Sequence, residues 1–544
     1  MPVLVPDLLH APALTRVDLE ATKLSIALAF ASGVSGGLFS DALDRATVAP
    51  STWEPEAYAS DLFLTQFVSL CLKIRIGDQE PTMAAQHLAN VLARPPSDVA
   101  SIHHRRAIVA ELAGSPVLRR SLDQLYLALC RFRTLLEGAT VGRKWDSNRR
   151  QLDVLASVKE CIDAMAQGFA SARSGLARLR GFGERVQAGE PYRALADLLE
   201  YDEKLATLNL EIRVGADGKI RDFEIRSVQP NEANPFVSSG WRRWLAKLEL
   251  FARGFQFSDG EIMARLIDAV FDGLQDDVAR FVQLLGDIEF YLGALAFRDL
   301  AREAGLEVCL PAFTGPDEPR ALRDLFNPLL LVHAVTPVPC DVSTDRHATT
   351  VLVTGPNSGG KTRLLQSVGW VQLLAQSGIF IPARSGTVAL ARGLVMSLIQ
   401  ETRPDQSEGR LGMELVRIRA LFERLPPGAM VLLDELCSGT NPSEGEEIFE
   451  LVVRMLTRLE PYAFITTHFL AFAGRLERER SIADLRFLKV ALGPSHEPTY
   501  QFVPGVAETS LAAQAAKRLG VTGEQLAALV EQSIERARAP RRRA

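Results

Sequence analysis

The octapeptide Gly355-Pro356-Asn357-Ser358-Gly359-Gly360-Lys361-Thr362 constrains this chain more than any other stretch. Its spacing is G-x-x-x-x-G-K-[ST], with the apolar run Thr350-Val351-Leu352-Val353 before it and helix-compatible Arg363-Leu364-Leu365-Gln366 after it. Glycines let successive backbone N–H groups wrap a phosphate without Cβ clashes. The helix that follows aims its positive end at the same anion. In such a loop Lys361 reaches the β- and γ-phosphates, and Thr362 binds Mg²⁺ through its hydroxyl. The order strand, glycine loop, helix also commits this part of the chain to an α/β layer architecture.

Two further apolar runs end in chemistry. Met430-Val431-Leu432-Leu433 runs into Asp434-Glu435. An acidic pair at a strand end places Asp434 in the Mg²⁺ shell and Glu435 where it polarises an attacking water. Ala463-Phe464-Ile465-Thr466 leads to Thr467-His468, and a histidine at that sheet edge can contact the γ-phosphate or the water. Between them lies Cys437-Ser438-Gly439-Thr440-Asn441-Pro442-Ser443-Glu444-Gly445. Asn441 suits an N-cap, Pro442 the first helical position and Glu444 the third. A helix starts there with exposed N–H groups, either to hold a second phosphate or as a well-capped surface helix.

Together these pieces resemble the ATPase domain of the MutS family. That pattern runs TGPN-x-x-GK, apolar-DE, a G-T-rich loop and a T-H strand end, seen here at Thr354 to Lys361, Leu432 to Glu435, Gly439-Thr440 and Thr467-His468. Asp405, Gly409-Arg410 and Glu414 resemble the family's connecting segment, and Pro504-Gly505 through Arg518-Leu519-Gly520 its C-terminal stretch. The loop from Asp434 to Gly445 looks closest to the branch without an N-terminal mismatch-reading domain. Ile102 to Leu112 and Asp287 to Ala296 are more loosely similar to the helical core and to the segment joining lever helices to the ATPase. The resemblance implies ATP and Mg²⁺, with Glu435 and His468 catalytic. It implies a homodimer whose partner completes each ATP site with Gly439, Thr440 and Asn441. It also implies lever helices that clamp DNA under nucleotide control, in mismatch repair, other DNA repair or recombination. Three departures spare the hydrolytic residues and fall where the two sites are coupled: Arg363 after Thr362, Leu411-Gly412 in place of Ser-Thr, and Asn441 in the signature pair. The triplet Phe182-Gly183-Glu184 matches the family's Phe-x-Glu wedge but lies amid helical sequence, and it reads as chance.

Upstream, the chain reads mainly as helix, as in Val117 to Leu136 and Arg149 to Leu179, punctuated by Pro95-Pro96, Pro191 and Pro235. One segment breaks the pattern. Leu208, Leu210, Ile212 and Val214 alternate with polar residues, Gly215-Ala216-Asp217-Gly218 supplies a turn, and Lys219 to Arg226 reads as a returning strand. The expected fold is therefore an α/β P-loop ATPase domain, ABC-type and MutS-like, C-terminal to a mainly α-helical core and lever domain with a small inserted β-hairpin. The expected boundaries are 1–85 for an unassigned helical region, 86–304 for core and lever with the hairpin near 207–227, 305–530 for the ATPase domain, and 531–544 for a basic disordered tail.

The formal net charge of −5 excludes a whole-chain basic field, so any nucleic-acid contact must be local. Two places qualify. Lys219 and Arg221 sit on the hairpin among mixed charges, and Trp241-Arg242-Arg243-Trp244 pairs basic with aromatic residues as a base-stacking surface does. A structural hairpin, and an amphipathic helix that buries its tryptophans, are the plainer readings of the same residues. The mixed charge also motivates an alternative in which the same motor acts on a protein or ribosome/RNA partner without intrinsic DNA recognition. An ABC transporter ATPase is disfavoured because no LSGGQ-like loop is present. Six cysteines occur singly with no CxxC pair, as expected of reduced, buried thiols. Leu24 to Phe39 is too short and too rich in small residues for a membrane span, so no membrane partner and a cytoplasmic location are expected.

Overall fold

The computed structural model describes residues 6–33, 36–48, 50–138, 147–203, 207–214, 220–229, 259–333, 335–398, 410–437, 441–508, 521 and 523–538. Lys219, Arg242, Arg243, Gly439 and Thr440 lie outside them. The chain divides into two compact units: Met1–Val48, Ile74–Asn90 and Ala100–Leu295 form the first, and Ala49–Lys73, Val91–Val99 and Ala296–Ala544 the second. These bounds differ from the expected ones, because residues 49–73 and 91–99 pack with the C-terminal α/β part. Apolar content marks Trp53, Tyr58 and Phe67 as core residues but carries no information about which core they enter.

Unit one is helical. Its helix Pro116–Glu137 shows why: Ser115 caps it by accepting the Leu118 N–H, Pro116 fills the first position, and Leu118, Leu122, Leu125, Leu129, Phe132 and Leu136 form one buried stripe. The run expected from Arg149 to Leu179 is two helices, Ser147–Gly168 and Ala177–Gln187. A Cβ on Gly183 would lie 2.5 Å from the Ala166 backbone nitrogen, so this glycine lets the two helices touch, and Phe182 beside it is fully buried. The Phe-x-Glu triplet is thus a packing element. Phe30 stacks on Phe271 at 3.8 Å, and Phe132 meets Phe39 and Phe281 edge-on. The hairpin is present as strands β1 (Thr207–Val214) and β2 (Ile220–Gln229), paired antiparallel from Thr207↔Gln229 to Val214↔Ile220.

The N-terminal peptide 7–16 has no regular structure, so its polar groups need side-chain partners. Arg178 supplies them: Nη1 donates to the carbonyls of Asp7 and His10, both at 2.7 Å. Asp287, from the long helix Asp259–Glu303, accepts the Leu8 N–H at 2.9 Å and pairs with Arg16. Two residues on, Glu289 accepts the Ala84 N–H at 2.8 Å and the Tyr126 hydroxyl at 3.0 Å. Burial pushes both carboxyls up to about 7, against the pull of Arg16 on Asp287 and of the Ala84 N–H on Glu289. A raised carboxyl holds its proton more tightly in the folded chain. The stability it contributes is complete below its unfolded value and is lost as pH rises through about 7. His87, His104 and His347, each drawn well below the usual imidazole value by burial, act in the opposite sense up to about pH 6.5, so the carboxyl contribution is read as a difference between wild type and variant. Glu289→Gln should remove its share of the loss and gain most, relative to wild type, at pH 8, because its amide can still accept from Ala84 and donate to Tyr126. A melting series of the two proteins between pH 5 and pH 8 checks it, and parallel slopes would contradict it.

Unit two carries two sheets. The strands are β3 (Ala312–Phe313), β4 (Arg320–Leu325), β5 (Cys340–Thr344), β6 (Thr350–Thr354), β7 (Ser385–Val388), β8 (Leu394–Ser397), β9 (Met430–Leu433), β10 (Tyr462–Thr466), β11 (Leu485–Leu492) and β12 (Pro498–Pro504). The larger sheet has the order β12-β11-β6-β10-β9-β8, parallel except for β12. Strands β6, β9 and β10 are buried throughout, as expected of parallel strands covered on both faces. Because they run parallel, their C-terminal ends share one sheet edge. The smaller sheet, β3-β7-β4-β5, was not anticipated from sequence: its strands are only two to six residues long. Helices Pro442–Thr457 and Leu470–Glu479 cover the larger sheet through Phe449, Val453, Phe472 and Leu476.

Residues 49–73 clasp the free side of β8. The Trp53 indole donates to the Ala391 carbonyl at 3.2 Å, the Tyr58 ring lies edge-on to Trp53, and Phe67 packs on the fully buried Trp370 at 4.1 Å. An edge strand left bare invites pairing with other chains, and the turn Pro55–Ala57 of this segment stands beside that edge. At the far end, helix Gly523–Arg538 runs through the first half of the stretch expected to be disordered. The reason is visible in hindsight: Leu526, Leu529, Val530 and Ile534 recur at helical spacing, and the first proline after them is Pro540. Among the described residues no helix is long and apolar enough to cross a membrane. All six cysteines are free thiols, and Cys71, Cys161, Cys340 and Cys437 are buried.

Candidate active site

The glycine loop leaves the end of β6 in the manner its residue types require. Gly355 has φ 137° and Gly360 φ 83°, both in the region that favours glycine. A Cβ on Gly355 would stand 2.6 Å from the Val490 side chain and one on Gly359 2.8 Å from it, so β11 packs directly against the loop and only hydrogen fits. Pro356 precedes the short turn Asn357–Gly359, closed by the Gly359 N–H donating to the Pro356 carbonyl at 2.9 Å. Ser358 stands exposed on that turn. The helix Lys361–Gln376 then begins, and the first amides of a helix have no acceptor within it.

Lys361 folds back over the loop. Its Nζ donates to the carbonyls of Gly355 at 3.0 Å and Pro356 at 3.2 Å, and to Asn357 Oδ1 at 3.4 Å. The residue is 3% exposed. Burial draws its ammonium below the usual lysine range, while Glu435 and Asp434 act in the opposite sense. Glu435 Oε1 lies 4.0 Å from Nζ.

Asp434 is the centre of the arrangement. Thr362 Oγ1 donates to its Oδ2 at 2.5 Å, and Thr466 Oγ1 donates to its Oδ1. Thr466 also accepts the Glu435 N–H at 2.8 Å, so one hydroxyl at the end of β10 orients both acids at the end of β9. Glu435 and Cys437 have φ of 49° and 61°, an uncommon conformation for side-chain-bearing residues, which marks a sharp turn held by its surroundings. A hydroxyl and one carboxylate suit a small hard cation that keeps waters and phosphate oxygens as its other ligands.

The other expected residues are placed less tightly. His468 is exposed at the same sheet edge, its ring 4.2 Å from that of Phe469. Asn441 caps helix Pro442–Thr457 and accepts the Ser443 N–H at 3.3 Å, with Pro442 and Glu444 in the first turn as expected. Arg221 lies on β2.

Sequence reasoning missed Thr466 as an orienting hydroxyl, although it precedes the noted Thr467-His468. It also missed Tyr500. At φ 60° on β12, 45% exposed, Tyr500 sets its ring 3.2 Å from where a Gly360 Cβ would be, an aromatic wall beside the loop. It lies 140 positions downstream of Gly360, and only the pairing of β12 with β11 and of β11 with β6 brings it there.

A parallel sheet with a glycine loop, a lysine–threonine helix start and an acidic pair on one edge defines a P-loop ATPase domain. Residues 351–541 match the sequence model of MutS domain V. The chain is also similar to proteins named Endonuclease MutS2. It is 32% identical to that of Streptococcus mutans over 266 residues, 48% of this chain and 32% of the relative. To that of Thermomicrobium roseum it is 31% identical over 210 residues, 38% of this chain and 26% of the relative. To that of Thermus thermophilus it is 29% identical over 286 residues, 52% and 36% of the two. Residues 351–541 are thus similar to MutS domain V, and the matched part of the chain spans about a third of the length of these relatives.

Proposed function

We propose that this protein is a MutS-like DNA-binding ATPase, in which ATP binding and hydrolysis open and close a dimeric clamp on DNA in repair or recombination. The observation that carries the ATPase reading is the hydrogen-bonded assembly Thr362–Asp434–Thr466, with Lys361 folded over the glycine loop beside it. Gly355 to Gly360 provide a backbone cradle for phosphate, and Lys361 offers its ammonium to the β- and γ-phosphates. Thr362 and Asp434 hold Mg²⁺, which supplies charge neutralisation on the phosphate oxygens when bound. Glu435, 4.0 Å from Lys361, polarises the attacking water, and His468 approaches the γ-phosphate from the end of β10. Gly439, Thr440 and Asn441 complete the site of the partner subunit through the start of their helix.

The DNA role rests on the likeness to MutS domain V and on the name carried by the relatives. Lys219, Arg221, Arg242 and Arg243 are its proposed contacts. Glu435→Ala protein, held in its ATP-bound form, is to be titrated by fluorescence anisotropy against perfect duplex, mismatched duplex, four-way junction and single strand. We expect ATP-dependent binding to one branched or duplex form, weakening as salt rises because phosphate contacts release counterions. Flat, weak binding to every DNA with both ATP and ADP would reject the DNA clamp and favour a protein or RNA partner.

A further inference from the structure

Asp61 belongs to the segment that clasps β8, some 300 residues before the glycine loop, yet it touches the active site through a single peptide plane. Asp61 Oδ1 accepts the Leu398 N–H at 3.1 Å. The carbonyl of Ser397 accepts the Asp434 N–H at 3.1 Å. That N–H and that carbonyl are the two polar ends of one planar trans peptide, so they point in opposite directions and cannot turn independently. Asp61 and the backbone of Asp434 therefore grip opposite sides of the same rigid unit.

A second connection returns to the helix that carries Thr362. The main-chain carbonyl of Asp61 accepts Gln366 Nε2 at 3.1 Å. Gln366 lies four residues after Thr362, on the same helix face. Its Oε1 is held in turn by Asn327 Nδ2 at 3.1 Å and Arg363 Nη1 at 2.8 Å. Thr362 closes the ring on Asp434. Asp61 is buried, 9% exposed, and it lines a cavity of about 850 Å³ that Asp434 and Glu435 also line.

We propose that Asp61 is a positioning residue for ATP hydrolysis: through the Ser397–Leu398 peptide it sets the backbone of Asp434 and hence the direction of Glu435. The inference rests on the ATPase reading above. It gives residues 49–73 a part in the chemistry as well as a place beside the sheet edge.

The test compares the full-length wild type with Asp61→Ala and Asp61→Asn. Two quantities are read: steady-state ATP turnover, and amide hydrogen exchange of the peptides covering 394–398 and 430–437 in nucleotide-free protein. Asp61→Ala should lower kcat by about 10- to 100-fold, the usual cost of removing a residue that orients a metal-binding group, with KM for ATP little changed. It should also speed exchange at Leu398 and Asp434. Asp61→Asn keeps an oxygen that accepts the Leu398 N–H and should restore both readouts. Should Asp61→Ala not fold, Asp61→Ser, whose hydroxyl is too short to span the contact, is read in its place. Unchanged turnover and protection on truncation, or loss in Asp61→Asn equal to that in Asp61→Ala, overturns the positioning role. Absence of turnover in the wild type instead overturns the ATPase reading beneath it.

Discussion

Replacing Lys361 with alanine is expected to remove tight nucleotide binding. The ammonium is enclosed by the loop it serves, with two carbonyls and Asn357 Oδ1 as acceptors and Glu435 within 4.0 Å. Truncating one partner of a buried charged contact typically costs about 2–5 kcal/mol, or roughly 30- to 4,000-fold in affinity. The lower end of that range would apply if water could replace the ammonium, but the side chain is nearly inaccessible, so we expect a loss of at least about 100-fold. Titration with a fluorescent ATP analogue gives the answer directly, and an affinity within threefold of wild type would sink the assignment. The same burial implies a pH effect. With its ammonium drawn below the usual lysine range, Lys361 sheds its proton at lower pH than a free lysine, so ATP affinity should weaken on the alkaline side before ordinary lysines titrate.

Replacing Glu435 with alanine should separate binding from hydrolysis. Its side chain is about one-third exposed and reaches Lys361 only at the limit of an ion pair, so it contributes little to holding the loop. Its backbone is fixed independently by the Thr466 hydroxyl, and alanine can keep that hydrogen bond. Removing a carboxylate near the phosphate cradle also removes a repulsion toward an anionic ligand, so ATP affinity should hold or improve. Turnover, by contrast, loses the group proposed to polarise water, a contribution of about 10²–10⁴-fold in general-base catalysis. Single-turnover hydrolysis alongside an equilibrium binding curve checks both halves. Wild-type turnover in Glu435→Ala would transfer the role to another residue, with His468 first in line by position.

The two substitutions therefore fail differently if the reading is right. One chain cannot hold the nucleotide. The other holds it without cleaving it, and this is why Glu435→Ala is the form of the protein suited to DNA binding measurements.

Family resemblance and chemistry were legible because they are local. The glycine loop needs consecutive residues, and the acid pair and Thr467-His468 each sit at the end of one buried strand. Runs of branched residues followed by polar ones are enough to mark those places, and Asn441, Pro442 and Glu444 mark the start of the next helix in the same way. The hairpin was legible from its period of two, and helix Pro116–Glu137 from the helical spacing of its apolar residues.

What the linear chain determined by itself is thus the phosphate loop, its lysine and threonine, the acidic pair and the order of strand and helix around them. Tertiary structure alone decided which core residues 49–73 enter, that a short second sheet forms, that Thr466 orients both acids, and that Tyr500 and Asp61 reach the site. The physical reason is that these depend on contacts between residues far apart in sequence. Strand order and side-chain burial set such contacts, and no periodicity records them. A single peptide plane shared by Asp61 and Asp434 is the sharpest instance: neither residue's neighbours hint at the other, and the planarity that joins them acts only once β8 and β9 are paired.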